Sequence, residues 1–400
     1  MRIFQINGGV FGSTGKIMFS VAKLARSEGM EVVCCSPITV TNKDKEPEES
    51  YIKIGSYNSR RICRLLDIVT GHEGHSAFFV TLRLISQIKR FAPDIIHLHN
   101  IHGSYINLPL LFNHIKKNNI KTVWTLHDCW SFTGHCPHFD MIGCDKWQSG
   151  CHNCALYKDY PESSYDNSAL MYRKKKKWYK DLSRLTLVTP SCWLAEKVKQ
   201  SFMSEHDVKV INNGIDLDIF KPTASNFKEK YDCEDKFVVL GVAFGWNDKK
   251  GLDVLCELAH CLDDRYRIVL VGTDEETDKK LPQNVISIHR TQDQKELAQI
   301  YTAADLMVNT TREDTFPTVN IESLACGTPV VTFETGGSPE ILDDTCGSVV
   351  SRDDIDSLVL EIKRICEEKP YAADACVLRA KRFDRNDKFK EYIDLYRSIQ

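Results

Sequence analysis

No apolar run in this 400-residue chain approaches the ~20 residues that a helix needs to span a bilayer. The opening MRIFQINGGV also lacks the charged-then-apolar pattern of a leader, so the chain is expected to be made and kept in the cytosol. Low-complexity tracts are absent, and 42% hydrophobic with 27% charged residues is a globular composition. Two nucleotide fingerprints are missing at the turn that invites them, NGGVFGSTGK. A Walker loop requires Gly five residues before Gly15 and Ser or Thr after the lysine, where this chain has Val10 and Ile17. A dinucleotide G-x-G-x-x-G fails because the glycines fall at 9, 12 and 15. What remains is a Gly-rich strand-to-helix turn whose backbone can approach a phosphate.

Cysteine is not scarce: there are 16. Most sit singly in apolar segments, as Cys192, Cys256 and Cys326 do, which reads as reduced core thiols rather than disulfides. Residues 129–160 are different. Cys136, Cys144, Cys151 and Cys154 form C-x7-C-x6-C-x2-C, ending in the two-residue spacing of zinc loops. Four soft thiolates would make a closed, structural zinc site rather than a catalytic one. Cys129, His135, His138 and His152 are alternative ligands, and unligated thiols are the competing reading.

A net charge of −3 hides an asymmetry. Residues 1–206 hold 27 Lys and Arg against 18 Asp and Glu, whereas 207–400 hold 25 against 37. A basic first half predicts an anionic partner: nucleic acid, a diphospholipid or an anionic membrane surface. The densest patch, RKKKKWYK at 173–180, reads either as a solvated helix face or, through Trp178 and Tyr179, as a headgroup contact.

Apolar runs alternate with helical periodicity along the chain. Strands are expected at 2–6, 31–36, 94–98, 122–126 and 185–189, and helices at 16–28, 78–91, 106–117, 168–182 and 193–202, with a polar loop at 41–50. Alternation restarts with strands 237–242 and 267–271 around helix 252–261. This predicts an α/β chain of two doubly wound domains, 1–206 and 207–382, with a last helix from 383 crossing back to the first. Within the second domain lies DLMVNTTREDTFPTVNIESLACGTPVVTFETGGSPE. Strand 306–308 is followed by Glu313 and Asp314, and Phe316-Pro317-Thr318 opens a short helix carrying Glu322. Gly327-Thr328-Pro329 then turns into strand 330–333. Carboxylates and helix N-terminal amides therefore gather at a strand end, where open sheets bind ligands and amides suit phosphate.

Asp314-x7-Glu322 followed by Ala-Cys-Gly-Thr-Pro-Val-Val resembles the donor-site signature of family 4 retaining glycosyltransferases, which have the GT-B fold, two Rossmann-like domains facing a cleft. NGID at 213–216 is similar to that family's linker. The usual opening residue is Glu; the register here gives Asp314. The resemblance implies Asp314 on the donor sugar, Glu322 on the nucleotide ribose, and the Thr318 and Val319 amides on the diphosphate. It also implies Gly15 near the diphosphate, and Lys250 of Lys250-Gly251 as the cation that neutralises the leaving diphosphate. Six residues before Lys250 the family usually has Arg and this chain has Phe244. Lys249 or Arg312 supplies the missing charge, or the donor is gripped with one cation fewer.

His97, His99, His102 and His127 cluster at strand ends of the first half. His127 follows a buried strand, where catalytic side chains of open sheets emerge, and its neighbour Asp128 is placed to orient the imidazole. Some family members carry a functional histidine at the matching place, near the reacting sugar. Some bacterial polysaccharide glycosyltransferases resembling this chain also have a similar Cys-rich loop after the His-Asp pair.

The resulting expectation is a retaining glycosyltransferase acting from a nucleotide-diphosphate sugar on a saccharide acceptor, polyprenyl-diphosphate-linked, in bacterial capsule or exopolysaccharide synthesis. No catalytic metal and no nucleic acid are expected, and a place on the inner face of the cell membrane is. Two rivals are a sugar-nucleotide epimerase of the same architecture and a zinc-bearing nucleic-acid binder.

Overall fold

The computed structural model describes residues 1–43 and 51–399. Of the loop expected at 41–50, residues 44–50 lie outside the described residues. Backbone proximity divides the chain into two compact units, Met1–Ile211 joined by the last helix from Phe389, and Asn212–Lys388.

The first unit is built on a parallel sheet of seven strands: β1 (Arg2–Ile6), β2 (Glu31–Pro37), β3 (Tyr51–Ile54), β4 (Ile95–Leu98), β5 (Lys121–Thr125), β6 (Leu185–Thr189) and β7 (Asp207–Val210), in spatial order 3-2-1-4-5-6-7. Parallel strands are covered by helices on both faces, so their sequences are apolar throughout rather than alternating; β4 and β6 are buried at every position. The order reverses between β1 and β4, and the crevice beyond their carboxyl ends is where such sheets bind ligands. Helix Ser13–Ser27 follows β1. Gly15 lies in its first turn, and a Cβ there would stand 2.1 Å from the Val10 carbonyl oxygen, so the close approach of that loop requires glycine. The last helix, Arg385–Ser398, buries Phe389, Tyr392, Ile393 and Tyr396 against this sheet's helical layer.

Strand β3 and helix Tyr57–Thr70 were not expected from the sequence. Edge strand β3 is short and mostly half-buried. All of the run 173–180 but Lys180 falls in helix Ser168–Tyr179, and its aromatic rings are not both exposed. Tyr179 is core, packed edge-on against Phe112 and Trp124, and Trp178 is half-buried against His75. Lys175 is buried too: its ammonium donates to the Trp130 carbonyl at 2.6 Å and sits 3.3 Å above the Trp130 ring. Burial pushes that ammonium down to about 7. The headgroup reading is thereby corrected for Tyr179, which is core; Arg173, Lys176, Lys177 and Lys180 form a solvated cationic face beside the half-buried Trp178.

The second unit repeats the plan with β8 (Phe237–Val242), β9 (Tyr266–Val271), β10 (Val285–Ile288), β11 (Leu306–Asn309), β12 (Val330–Phe333) and β13 (Gly347–Val350), all parallel in order 10-9-8-11-12-13. Its switch point lies between β8 and β11. No cysteine of the described residues forms a disulfide, but they are not all core thiols: Cys326 is buried, Cys256 half-buried and Cys192 exposed.

Candidate functional site

Two loops leave the second sheet at its switch point and are bound to each other. After β8 the chain reaches a tight turn, Asp248–Lys250, in which the Asn247 side chain accepts the Lys250 N–H at 3.2 Å. Gly251 closes it at φ 71°, and a Cβ there would stand 2.4 Å from the Thr310 carbonyl. Helix Leu252–Cys261 follows. The loop after β11 grips this turn from the side. Thr310 Oγ1 donates to the Lys250 and Gly251 carbonyls at 3.1 and 3.2 Å, and the Arg312 N–H donates to the Lys249 carbonyl at 2.8 Å.

The Arg312 side chain completes the grip. Its guanidinium forks onto Asp253 with two bonds of 2.8 Å, reaches Asp353 at 2.7 Å and donates to the Asp248 carbonyl at 2.6 Å. Arg312 is therefore not the replacement for the cation missing at Phe244, because two carboxylates already hold it. Phe244 is fully exposed. The clamp was not foreseen; Asp253 in the first turn of its helix reads from sequence as an ordinary dipole partner.

With the turn fixed, Lys250 Nζ lies 2.9 Å from Asp314 Oδ2, and Lys249 Nζ lies 3.6 Å from the buried Glu313 carboxylate. The Asp314 carboxylate also accepts the Phe316 N–H at 3.2 Å. Gly336, at φ 55°, packs so closely that a Cβ would meet the Asp314 carbonyl at 1.7 Å. Thr318 and Val319 open helix Thr318–Ala325, which has no side-chain cap, and first-turn N–H groups have no partner within a helix. Glu322, one turn on, accepts the hydroxyl of buried Tyr301 at 3.2 Å. The structure thus brings Lys249, Lys250, Asp314, Thr318, Val319 and Glu322 to the carboxyl-end side of the central strands β8 and β11. An ammonium and free amides there suit a diphosphate, and a partly exposed carboxylate suits hydroxyls.

Gly15 and His127 belong to the first unit. At the carboxyl ends of β1, β4 and β5, His99 joins Gln5 at 3.2 Å to His127 at 3.1 Å, the two imidazoles stacked. Burial, opposed by the Asp128 charge and helped to a smaller extent by His102, pushes His127 down to about 4, so it is neutral at pH 7. Asp128 has a different partner from the one expected. Its carboxylate accepts from His102 at 2.9 Å and from the Trp130 N–H at 2.9 Å. Burial would raise Asp128, but the His102 charge and bond outweigh it and hold the carboxyl at about 2. His127 is oriented through His99, and Asp128 orients His102. His97 lies behind them, bonded to Tyr396 at 2.6 Å and Thr125 at 2.9 Å.

In the Cys-rich loop, Cys151 accepts the Gly134 N–H at 3.1 Å, and Cys136 and Cys154 are hydrogen-bonded thiols. Among the described residues, no group of three or more His, Cys, Asp or Glu stands at metal-holding spacing.

Residues 15–219, half of the chain, match the model of Glycosyltransferase Family 4, and residues 235–368 match that of Glycosyl transferases group 1. The chain belongs to glycosyltransferase family 4. A relative in Escherichia coli K12 named as a colanic acid biosynthesis glycosyl transferase, WcaC, is 26% identical over 67% of this chain; the match spans 66% of that relative's own length. Among solved structures, sucrose-phosphate synthase from Thermosynechococcus elongatus aligns over 100% of this glycosyltransferase and 98% of its own chain, with TM-score 0.73 and 17% identity. HepE from Anabaena, solved in complex with UDP-glucose, aligns over 100% of both chains with TM-score 0.69 and 15% identity. These likenesses fix the fold: α/β, of the GT-B class. Among the described residues no helix of this family 4 glycosyltransferase is long and apolar enough to cross a membrane.

Proposed function

We propose that this glycosyltransferase moves a sugar, with retention of anomeric configuration, from a nucleoside-diphosphate sugar to a hydroxyl of a lipid-linked saccharide in bacterial polysaccharide assembly. The observation that carries the donor half is the Lys250–Asp314 pair, 2.9 Å apart beside the first-turn amides of Thr318 and Val319. A leaving diphosphate needs its developing charge met, and Lys250 with those amides meets it without reorganisation. Asp314 then holds the sugar and Glu322 the ribose. Retention follows from a front-side path in which the departing phosphate oxygen takes the acceptor proton, so no general base is required of the protein. His127, neutral at pH 7, contributes a hydrogen bond to the reacting sugar rather than a charge. The UDP-glucose of HepE and the colanic acid pathway in the name of WcaC support a nucleotide donor and a polysaccharide product.

The test is thermal stabilisation by a panel of UDP-, GDP-, ADP- and CMP-sugars, with Glu322→Ala beside wild type. A ligand of the folded state raises the melting temperature by mass action. One nucleotide class stabilising wild type and not the variant supports the donor site. No stabilisation by any of them at millimolar concentration removes it.

For residues 129–160 the reading is a structural zinc on Cys136, Cys144, Cys151 and Cys154, supported by the C-x7-C-x6-C-x2-C order of the sequence and the Cys136–Cys154 hydrogen bond, although no three of these thiols are gathered at metal-holding distance in the structure. No step of the transfer passes through it.

A further inference from the structure

Helix Tyr57–Thr70 is amphipathic the wrong way round. Its apolar stripe, Ile62, Leu65, Leu66 and Val69, has the i, i+3, i+4, i+7 spacing that normally faces a core. Here those side chains are 61, 62, 48 and 51% exposed, and the buried positions are Cys63 and Asp67. Asp67 is turned inward, where the Ser76 hydroxyl and the Gly74 N–H donate to it. The helix therefore shows solvent no carboxylate of its own, while the exposed Arg61 and Arg64 lie along one side of the stripe. Among the described residues Glu162 pairs with Arg64 at 4.0 Å, both side chains being more than half exposed. Phe79 adds to the surface from the start of helix Phe78–Phe91, where it is 78% exposed. The two helices adjoin there, since Arg60 and Cys63 line one cleft with Ala77 and Val80.

We infer that the outward face of helix Tyr57–Thr70, with Arg61 and Arg64 along one side, docks this chain on an anionic lipid surface. Aliphatic side chains on an exposed helix gain free energy by entering the headgroup layer, and adjacent arginines meet the phosphates there. The charge favours lipid: the half of the chain that bears this helix has the cationic excess. This docking face deepens the lipid-linked acceptor reading and rests on it for the choice of a bilayer over a protein partner. It also differs from the lysine-rich run at 173–180, where Tyr179 is core and Trp178 is half-buried.

The experiment is vesicle sedimentation of the full chain at low salt, with phosphatidylcholine alone and with equal parts of phosphatidylglycerol. Ile62→Gln/Leu65→Gln and Arg61→Glu/Arg64→Glu are compared with Lys176→Glu/Lys177→Glu as the control. All substituted positions are exposed, and circular dichroism with melting temperature checks that each variant folds. Wild type binds the anionic vesicles, and each helix variant loses at least about tenfold in partition while the control loses less. Three results overturn the inference: wild type ignores anionic vesicles, the helix variants bind as wild type does, or the control loses as much as they do. A concentration-dependent dimer abolished by Ile62→Gln/Leu65→Gln also overturns it, assigning the face to a second copy. Donor-dependent thermal stabilisation is recorded on the same samples. If it persists while vesicle binding is absent, docking fails and the donor reading stands; if it is absent too, both fail.

Discussion

Arg312 holds Asp253 through two parallel N–H···O bonds of 2.8 Å, and the same guanidinium donates to the Asp248 carbonyl. One side chain from the loop after β11 thus fixes the turn that presents Lys249 and Lys250. Arg312→Lys keeps a charge but cannot fork. It should cost about 2 kcal/mol of stability, the scale of charge-assisted hydrogen bonds to partly exposed carboxylates. Donor affinity should also fall, because Lys250 loses its position. Denaturant melts and donor titration check this, and unchanged affinity would mean that the turn holds without the clamp.

Lys250 and Asp314 are a coupled pair, and their substitutions should not be equivalent. Lys250→Ala removes the cation meant for the departing phosphate and should lower kcat by about a hundredfold or more. Asp314→Asn keeps a hydrogen-bonding group on the sugar and should mainly raise KM. Steady-state kinetics with a defined donor separates the two, and a Lys250→Ala enzyme with wild-type kcat would sink the assigned role.

Much of the scaffold was legible. The strands at 185–189, 237–242 and 330–333 and the helices at 78–91 and 252–261 lie where apolar runs and 3.6-residue periodicity put them, because parallel sheets bury strands on both faces. Helix Tyr57–Thr70 was missed, and its periodicity points the opposite way from a core helix. Contacts distant in sequence were the other gap. Adjacency suggested that Asp128 serves His127, yet the chain bends at these residues beyond β5, and Asp128 meets His102. Arg312 looked like a spare cation because Asp253 is 59 residues away. Lys175 looked solvated because its neighbours are; only packing shows it over Trp130.

The histidine cluster gives a pH dependence of known sign. Burial pushes His97 down to about 3, His127 to about 4, and His99 well below its ordinary value. These groups are neutral in the folded chain, whereas the unfolded chain protonates them below about pH 6.5. The unfolded state therefore binds more protons, and stability present above that pH is lost as pH falls toward 4, at about 1.4 kcal/mol per unit for each histidine. Asp128, held at about 2, adds a loss of the same direction only below about pH 3.8. Melting curves from pH 7.5 to 4.5 should show the fall, and His97→Gln should flatten it. A melting temperature constant over that range would contradict the neutral, buried assignment.

Metal removal tests the Cys-rich loop. Elemental analysis of protein purified without chelator should give about one zinc per chain, and stripping it should lower the melting temperature without changing the nucleotide preference. Cys151→Ser and Cys154→Ser should each lose the metal. Zinc-free protein that melts like the native preparation would assign these residues to an unligated thiol cluster.

His127 and Asp128 should separate by function as they do by contact. His127 is neutral, stacked on His99 and tied through it to Gln5, so His127→Ala removes a hydrogen-bonding group but no charge. Its expected effect is a fall in kcat of about tenfold to a hundredfold, with donor-dependent stabilisation intact, since the donor residues lie in the other unit. Asp128→Asn takes the anion from buried His102, which is also bonded to Tyr160 at 2.8 Å. Its cost should fall first on folding, about 2 kcal/mol in denaturant melts, because the hydrogen bond from buried His102 loses its charged acceptor. If Asp128→Asn instead melts normally and shifts the pH profile of kcat, then Asp128 acts on the reaction through His102, and the reacting centre extends along β4 rather than β5.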